Sequence, residues 1–189
     1  VEGAPRAAAA AFAQDLIARA QTGPWSALKS GAALAPLAEQ FLRQIGEAAV
    51  SEDLAGVEPN DLLAVQEQFW MWAGSAAEGE RHVRVRAATG VDGRPLGRDV
   101  LEIVGPDVPF LVDSLIGEAT ERGLSALALF HPIVTTASGT RSTVAPRIFG
   151  ISTIFGQSGV TATTRSPGET TICAASIRPE TPDPTAAMR

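Results

Sequence analysis

Residues 100–134 of this 189-residue chain read VLEIVGPDVPFLVDSLIGEATERGLSALALFHPIV, and apolar runs alternate in them with turn residues. The opening apolar run ends at Gly105 and Pro106, as a buried strand does. The next segment places its apolar residues at helical spacing and closes at Gly123. Residues 124–134 form a second buried strand. Strand, helix and strand with short joints predict a compact α+β fold, not a doubly wound nucleotide-binding sheet.

Upstream of this region the apolar residues recur every three or four positions. The pattern predicts three helices, over residues 5–21, over residues 34–45, and from Pro59 to Gly74 or Gly79. At residues 82–86 the period changes to two, which indicates a half-buried strand, and a glycine-rich loop follows over 90–97. We therefore predict a helical amino-terminal region, 1–79, and an incomplete α+β module, 80–134.

Two groups of side chains in the first half of the chain, a pair of tryptophans and a set of arginines, are interpreted separately. Trp70 and Trp72 lie on an apolar helical stripe, so we expect them to pack in the core or in an interface rather than to stack on nucleic-acid bases. Arg81, Arg84 and Arg86 alternate along the predicted strand, and we expect them to form its solvated side.

The composition changes abruptly after Val134. Of the last 55 residues, 18 are Ser or Thr. The same segment contains five Arg and three acidic residues, so its net charge is positive, whereas the net charge of the whole chain is −6. Residues 135–189 are thus predicted to be a divergent Ser/Thr/Pro-rich tail, with strands at 148–155 and 170–177 and a disordered end from 178. Because the composition changes at one point without a linker, we expect the chain to be a truncated or frame-shifted amino-terminal piece of a longer protein.

Composition and motifs exclude several classes of function. With 15 basic and 21 acidic residues, the chain is not expected to bind nucleic acid or an anionic membrane. The single Cys173 allows no internal disulfide, and without an apolar run long enough to span a bilayer the protein is expected to be cytoplasmic. His82, His131 and Cys173 lack metal-ligand spacing, and His131 is expected to be structural. No phosphate-binding glycine motif or serine nucleophile motif occurs, so no catalytic, cofactor-binding or metal-binding residue is predicted.

Several short motifs occur in a fixed order along residues 35–134. They are EDLAG at 52–56, PNDL at 59–62, DVPFLVDS at 107–114, RGL at 122–124 and HP at 131–132. In this order they resemble the amino-terminal region of the large bacterial NAD-specific glutamate dehydrogenases. The resemblance implies an ACT-like module, a small βαββαβ fold that often binds amino acids and regulates an attached enzyme.

The same resemblance implies a non-catalytic part, regulatory or for assembly, of an enzyme that converts glutamate, NAD and water to 2-oxoglutarate, ammonium and NADH. NAD would be bound elsewhere in the parent enzyme, and the only lysine here, Lys29, lies in a loop far upstream. The expected partners are the rest of the parent chain, further copies in a homo-oligomer and an amino-acid effector. The alternatives are a stand-alone ACT-like amino-acid-binding regulatory module and a structural interaction domain.

The strand-to-helix corner is the candidate effector site of this module. Its candidate residues are Gly105, Asp107 and Asp113, since a carboxylate in the first turn of a helix could orient a ligand amine. Phe110 stands where the ordinary ACT pattern has glycine. We expect its ring to be buried as a packing anchor and to fill the space that an effector would need.

Overall fold

The computed structural model describes residues 3–49, 57–76, 80–106, 109–135, 147–155, 160–166 and 169–174. Within these ranges the elements are α1 (Gly3–Thr22), β1 (Lys29–Ser30), β2 (Ala33–Leu34), α2 (Pro36–Ala48), α3 (Pro59–Ala73), β3 (His82–Thr89), β4 (Pro95–Pro106), α4 (Leu111–Glu121), β5 (Ala126–Phe130), β6 (Ile133–Thr135), β7 (Arg147–Phe155), β8 (Val160–Ser166) and β9 (Glu169–Ala174). The three upstream helices and the helix after β4 are therefore confirmed. Among the described helices, even the 20-residue α1 lacks the apolar character needed to cross a membrane.

An antiparallel sheet of five strands lies at the centre of the fold. Its order is β3-β4-β7-β5, and β6 pairs with β7 beyond the end of β5. The strand predicted at 148–155 is confirmed as β7, and the one predicted at 170–177 is matched by β9, which forms a separate hairpin with β8. The sheet thus continues past Val134 into the segment predicted as a tail, while residues 178–189 lie outside the described residues.

Both faces of the sheet are covered by helices. Along β4, Val104 faces the helical layer of α1, α2 and α3, where it joins a large apolar cluster. The alternating residues Leu101 and Ile103 pack on the other face against Leu115 and Ala119 of α4. Since both faces are covered, residues 99–105 are buried without a break, which explains the continuous apolar run in the sequence.

Helix α3 is the inner member of the helical layer. Residues 61–66 are all buried, although a helix with one covered side would expose half of them. On one side Leu62, Leu63 and Phe69 join the cluster with α1 and α2. On the other, Val65 contacts Ala88 and Val100 of the sheet. The helix therefore connects the helical layer to the sheet.

The single strand predicted over 124–134 is two strands, because Pro132 has no backbone N–H and interrupts the ladder. The register on β7 is the same on both sides of the break, with Phe130 opposite Ser152 and Ile133 opposite Phe149, and it shifts earlier in β5, between Ala126 and Ala128. Just after the break the amide of Gln44 on α2 clamps the backbone of Ile133. Its Nε2 donates to the carbonyl oxygen at 2.8 Å, and its Oε1 accepts the N–H at 2.7 Å.

The loop predicted over 90–97 is shorter in the structure, because β4 begins at Pro95. Gly97 lies within the strand at φ +66°, where the register between β3 and β4 shifts. A residue with this backbone angle accommodates the extra length of one strand at a bulge, and glycine does so without strain. The glycine pattern therefore marks a bulge as well as a turn.

Candidate functional site

The strand-to-helix corner joins β4 to α4 and holds the predicted effector residues. Gly105 is buried, and a Cβ atom added to it would lie 3.1 Å from the Cα of Arg81 and 3.2 Å from the carbonyl oxygen of Glu80. Gly105 is thus needed for the close approach of the segment that precedes β3. Asp107 lies outside the described residues. Asp113 is exposed in the first turn of α4, where the helix dipole stabilises its charge.

The structure therefore gives Gly105 and Asp113 different surroundings. Gly105 is packed against Glu80 and Arg81, which precede β3, and Asp113 faces water. Because the space beside Gly105 is occupied, an effector at this corner would have to bind on the α4 side, beside Asp113.

Phe110 is exposed, and the prediction that its ring packs as an anchor is wrong. The ring is 78% exposed at the residue that precedes α4. The apolar space beneath α4 is already filled by Leu115 and Ala119 against β4, which leaves no place for the ring there. The ring consequently does not fill the corner.

A buried charged cluster lies between α3 and the sheet, and it corrects the interpretation of Arg84 and Arg86 as solvated. Both guanidinium groups pair with Glu102, whose side chain is 0% exposed. Arg86 donates to Oε1 of Glu102 from Nε at 3.1 Å and from Nη2 at 2.8 Å, and Arg84 donates to Oε2. The arginines face inward because α3 covers this side of β3. Arg81 alone is exposed, as predicted.

The same arginines bind α3 directly. Arg86 donates to Oε1 of Gln68 at 2.8 Å and to the carbonyl oxygen of Val65 at 3.0 Å. Arg84 donates to the carbonyl oxygen of Gln68 at 3.1 Å, and its guanidinium lies 4.3 Å from the ring centroid of Trp72. We call this set, Arg84, Arg86, Glu102, Gln68 and Trp72, the α3 clamp. Its one carboxylate is paired with both guanidinium groups, so it serves as a structural link rather than as an acid–base site.

The α3 clamp had a signal in the sequence that depends on the hairpin register. Arg84 lies opposite Glu102 in the ladder, and residues two apart share a face of the sheet. A turn at residues 90–94 together with the register shift at Gly97 places Arg84 opposite Glu102 and brings the three charges together. A loop extended to Gly97 gives no such pairing.

A second polar contact holds the other end of α3. Asp61 is buried, accepts the N–H of Val91 at 3.3 Å and pairs with Arg94. A Cβ atom at Gly90 would lie 2.3 Å from Oδ1 of Asp61, so only glycine fits there. The β3–β4 turn is thereby fixed to the start of α3.

The next residues are Trp70, Lys29 and His131, which were also considered in the sequence. Trp70 packs on Phe41 with ring centroids 5.0 Å apart, which confirms its packing role. Nζ of Lys29 donates to the carbonyl oxygen of Gly23 at 2.5 Å. His131 is half-buried at the break between β5 and β6. In the described part of the chain, no group of three or more His, Cys, Asp or Glu side chains is placed to hold a metal ion.

Glu67 on α3 supports a prediction on pH dependence. Burial raises the pKa of its carboxyl above the usual value, although the N–H donated by Ala27 at 3.2 Å acts in the opposite direction. A raised folded-state pKa means that stability is lost as the pH rises through that value. We therefore expect Glu67→Gln, which keeps an acceptor for Ala27, to increase the free energy of unfolding at pH 7.

Urea denaturation at neutral pH and near the ordinary glutamate pKa of about 4.3 measures this effect. The gain should shrink at the lower pH, because the Glu67 carboxyl then holds its proton to a greater extent and burial opposes only its charged form. As a control, the exposed Glu47→Gln should change stability by less than about 0.5 kcal/mol at both pH values. An equal gain for Glu67→Gln at both pH values would contradict the prediction.

The structure as described is a mixed α+β module of the ACT-like type, preceded by helices that cover the second face of its sheet. Comparison with protein families gives a match to the glutamate dehydrogenase ACT1 domain over residues 41–147. Because this range covers more than half of the chain, the chain belongs to the family of glutamate dehydrogenase ACT1 domains. Comparisons with curated proteins and with solved structures give no match. The matched range begins within α2 and ends at the first residue of β7, so it includes the α3 clamp and the strands β3 to β6.

Proposed function

We propose that the chain is the non-catalytic amino-terminal part of a large bacterial NAD-dependent glutamate dehydrogenase, in which it serves regulation or assembly. The parent reaction is the oxidative deamination of glutamate to 2-oxoglutarate and ammonium, in the cytoplasm, as a step of amino-acid catabolism. NAD would be bound by another part of the enzyme. The ordered motifs of residues 35–134 and the family match over 41–147 support this assignment.

The α3 clamp is the observation that carries the proposal. The matched range runs through most of α2, α3 and the strands β3 to β6, and it is linked internally: ion pairs join β3 to β4, and hydrogen bonds from Arg84 and Arg86 join β3 to α3. A linkage of this kind transmits a displacement of the sheet to the helical layer. That property suits a part that communicates with, or holds together, the rest of an enzyme.

For regulation, we propose an amino-acid effector at the corner of Gly105, Asp107 and Asp113. The exposed carboxylate of Asp113 is available to bind the ammonium group of an amino acid. Titration calorimetry of the chain with glutamate, arginine, leucine and NAD tests this point. Saturable heat with one amino acid, lost in Asp113→Asn, is expected, and heat that is unchanged in the variant would place any effector elsewhere.

Deletion of residues 41–147 from the whole enzyme tests the proposed function. We expect the deleted enzyme to differ from the intact enzyme in oligomeric mass, in its response to amino acids, or in both. Light scattering after size-exclusion chromatography measures the first, and NADH production from glutamate measures the second. A deleted enzyme that matches the intact one in both would refute the proposal. If the native chain is found without an attached dehydrogenase, amino-acid binding would favour the stand-alone regulatory module.

A further inference from the structure

Strands β5 and β6 form one edge of the central sheet. Both pair with β7 on one side, and within the described residues no strand pairs with them on the other. An edge strand carries a row of backbone N–H and C=O groups that can pair with a strand of another chain. How the outward groups of β6 are occupied therefore decides whether this edge of the sheet can be extended.

The backbone groups of Ile133 point away from β7. In an antiparallel ladder the N–H and C=O of one residue lie on the same side of the strand, and successive residues alternate. Both groups of Ile133 bond to the side chain of Gln44 on α2, so those of Val134 face β7. The same alternation places the missing N–H of Pro132 on the β7 side, which agrees with the break in pairing there.

The amide of Gln44 takes the place that a neighbouring strand would have. A carboxamide offers one C=O acceptor and an N–H donor side by side, as the backbone of an adjacent strand does. The two bonds to Ile133, of 2.7 Å and 2.8 Å, have ordinary hydrogen-bond lengths. Because the adjacent Ile45 and the nearby Phe41 are buried in the helical layer, α2 holds the amide in position.

We propose that Gln44 is an edge guard, a side chain that occupies the outward backbone groups of β6 and thereby keeps this strand from pairing with β6 of a second copy of the chain. Two copies of one edge strand can pair antiparallel about a twofold axis, so a second copy is the competing partner in any solution of the protein. The inference goes beyond the proposed function and does not depend on it, since it concerns contacts within the chain.

Gln44→Ala in the full 189-residue chain tests the edge guard. The variant frees both groups of Ile133, so its mass by light scattering should rise with concentration from that of the wild type toward twice that value. In dilute solution the amide proton of Ile133 should exchange about tenfold faster than in the wild type, because it has lost its hydrogen bond. In the associated state the same proton should become protected again.

Three further variants separate an opened edge from a general loss of stability. Gln40→Ala removes an exposed amide one turn earlier on α2 and should behave as the wild type does. Ile17→Val removes a methylene group from the buried core of α1, so it should lower the unfolding midpoint without inducing association. Gln44→Lys should also be less stable than the wild type, yet it should not associate, because a charge at a sheet edge opposes pairing.

Three results would overturn the edge guard. If Gln44→Ala keeps the mass of the wild type at every concentration, Gln44 contributes to stability alone. If the variant associates while the Ile133 amide still exchanges fast, the copies meet at another surface. If Ile17→Val associates as strongly as Gln44→Ala, loss of stability is the cause. Each of these results leaves the proposed function intact, because that function is tested by the deletion of residues 41–147.

Discussion

Glu102→Leu is expected to lower the free energy of unfolding by about 3–5 kcal/mol, the usual range when one partner of a buried ion pair is removed. The carboxylate of Glu102 is 0% exposed and accepts hydrogen bonds from both Arg84 and Arg86. Its loss leaves two guanidinium groups beneath α3 with no counter-charge. Urea unfolding followed by tryptophan fluorescence measures the effect, and Trp72 reports directly because it lies against Arg84.

Two further variants test the cause. Asp92→Asn removes an exposed carboxylate that lies 3.6 Å from Arg94, and we expect it to cost less than about 0.5 kcal/mol. Replacing Arg84 and Arg86 by methionine in the Glu102→Leu background should recover part of the loss, because no uncompensated charge remains buried. A loss below about 1 kcal/mol in Glu102→Leu would show that water reaches the arginines and that the α3 clamp is not a buried link.

Gly46→Ala is expected to destabilise the fold by about 1–3 kcal/mol, although alanine is the better helix former by about 1 kcal/mol. A Cβ atom at Gly46 would lie 2.3 Å from the Cα and 2.6 Å from the Cβ of Ala13 on α1. Because the first of these is a backbone atom, no side-chain rotation can relieve the overlap, and α1 and α2 must move apart. The thermal unfolding midpoint and the urea midpoint should both fall.

The matched control is Gly117→Ala on α4. Gly117 is exposed, and a Cβ atom there would meet no other atom within 4 Å. With helix propensity as the sole effect, this variant should gain about 0.5–1 kcal/mol. Opposite signs for the two substitutions would attribute the loss at Gly46 to the helix crossing, whereas a gain at both positions would contradict the close contact.

Local patterns predicted most of the elements. The helical periodicity located α1, α2, α3 and α4, and the apolar run at 100–104 located the core of β4. These patterns are reliable because each is set within a single element: a helix that buries one side repeats its apolar residues every three or four positions, and a strand that buries both faces is apolar throughout. The ordered motifs likewise indicated the family that the match over 41–147 shows.

Features that depend on contacts between distant elements were missed. The alternation of Arg84 and Arg86 looks like a solvated strand side until α3 is placed over it. Phe110 looks like a core residue until the space beneath α4 is found to be filled. Among the candidate effector residues, Gly105 allows the backbone of Arg81 to lie close to it. No local pattern in the sequence predicts this contact between distant residues.

The place of β7 between β4 and β5 has a consequence for how the protein is made. Both neighbours emerge from the ribosome before β7 does, and their pairing joins distant residues such as Pro106 and Ile148. Closing such a loop is slow, and until it closes two apolar strands present unpaired edges. A nascent chain halted near Val134 would therefore be a substrate for chaperones, and release of the segment that contains β7 is the event that commits the sheet to its native order.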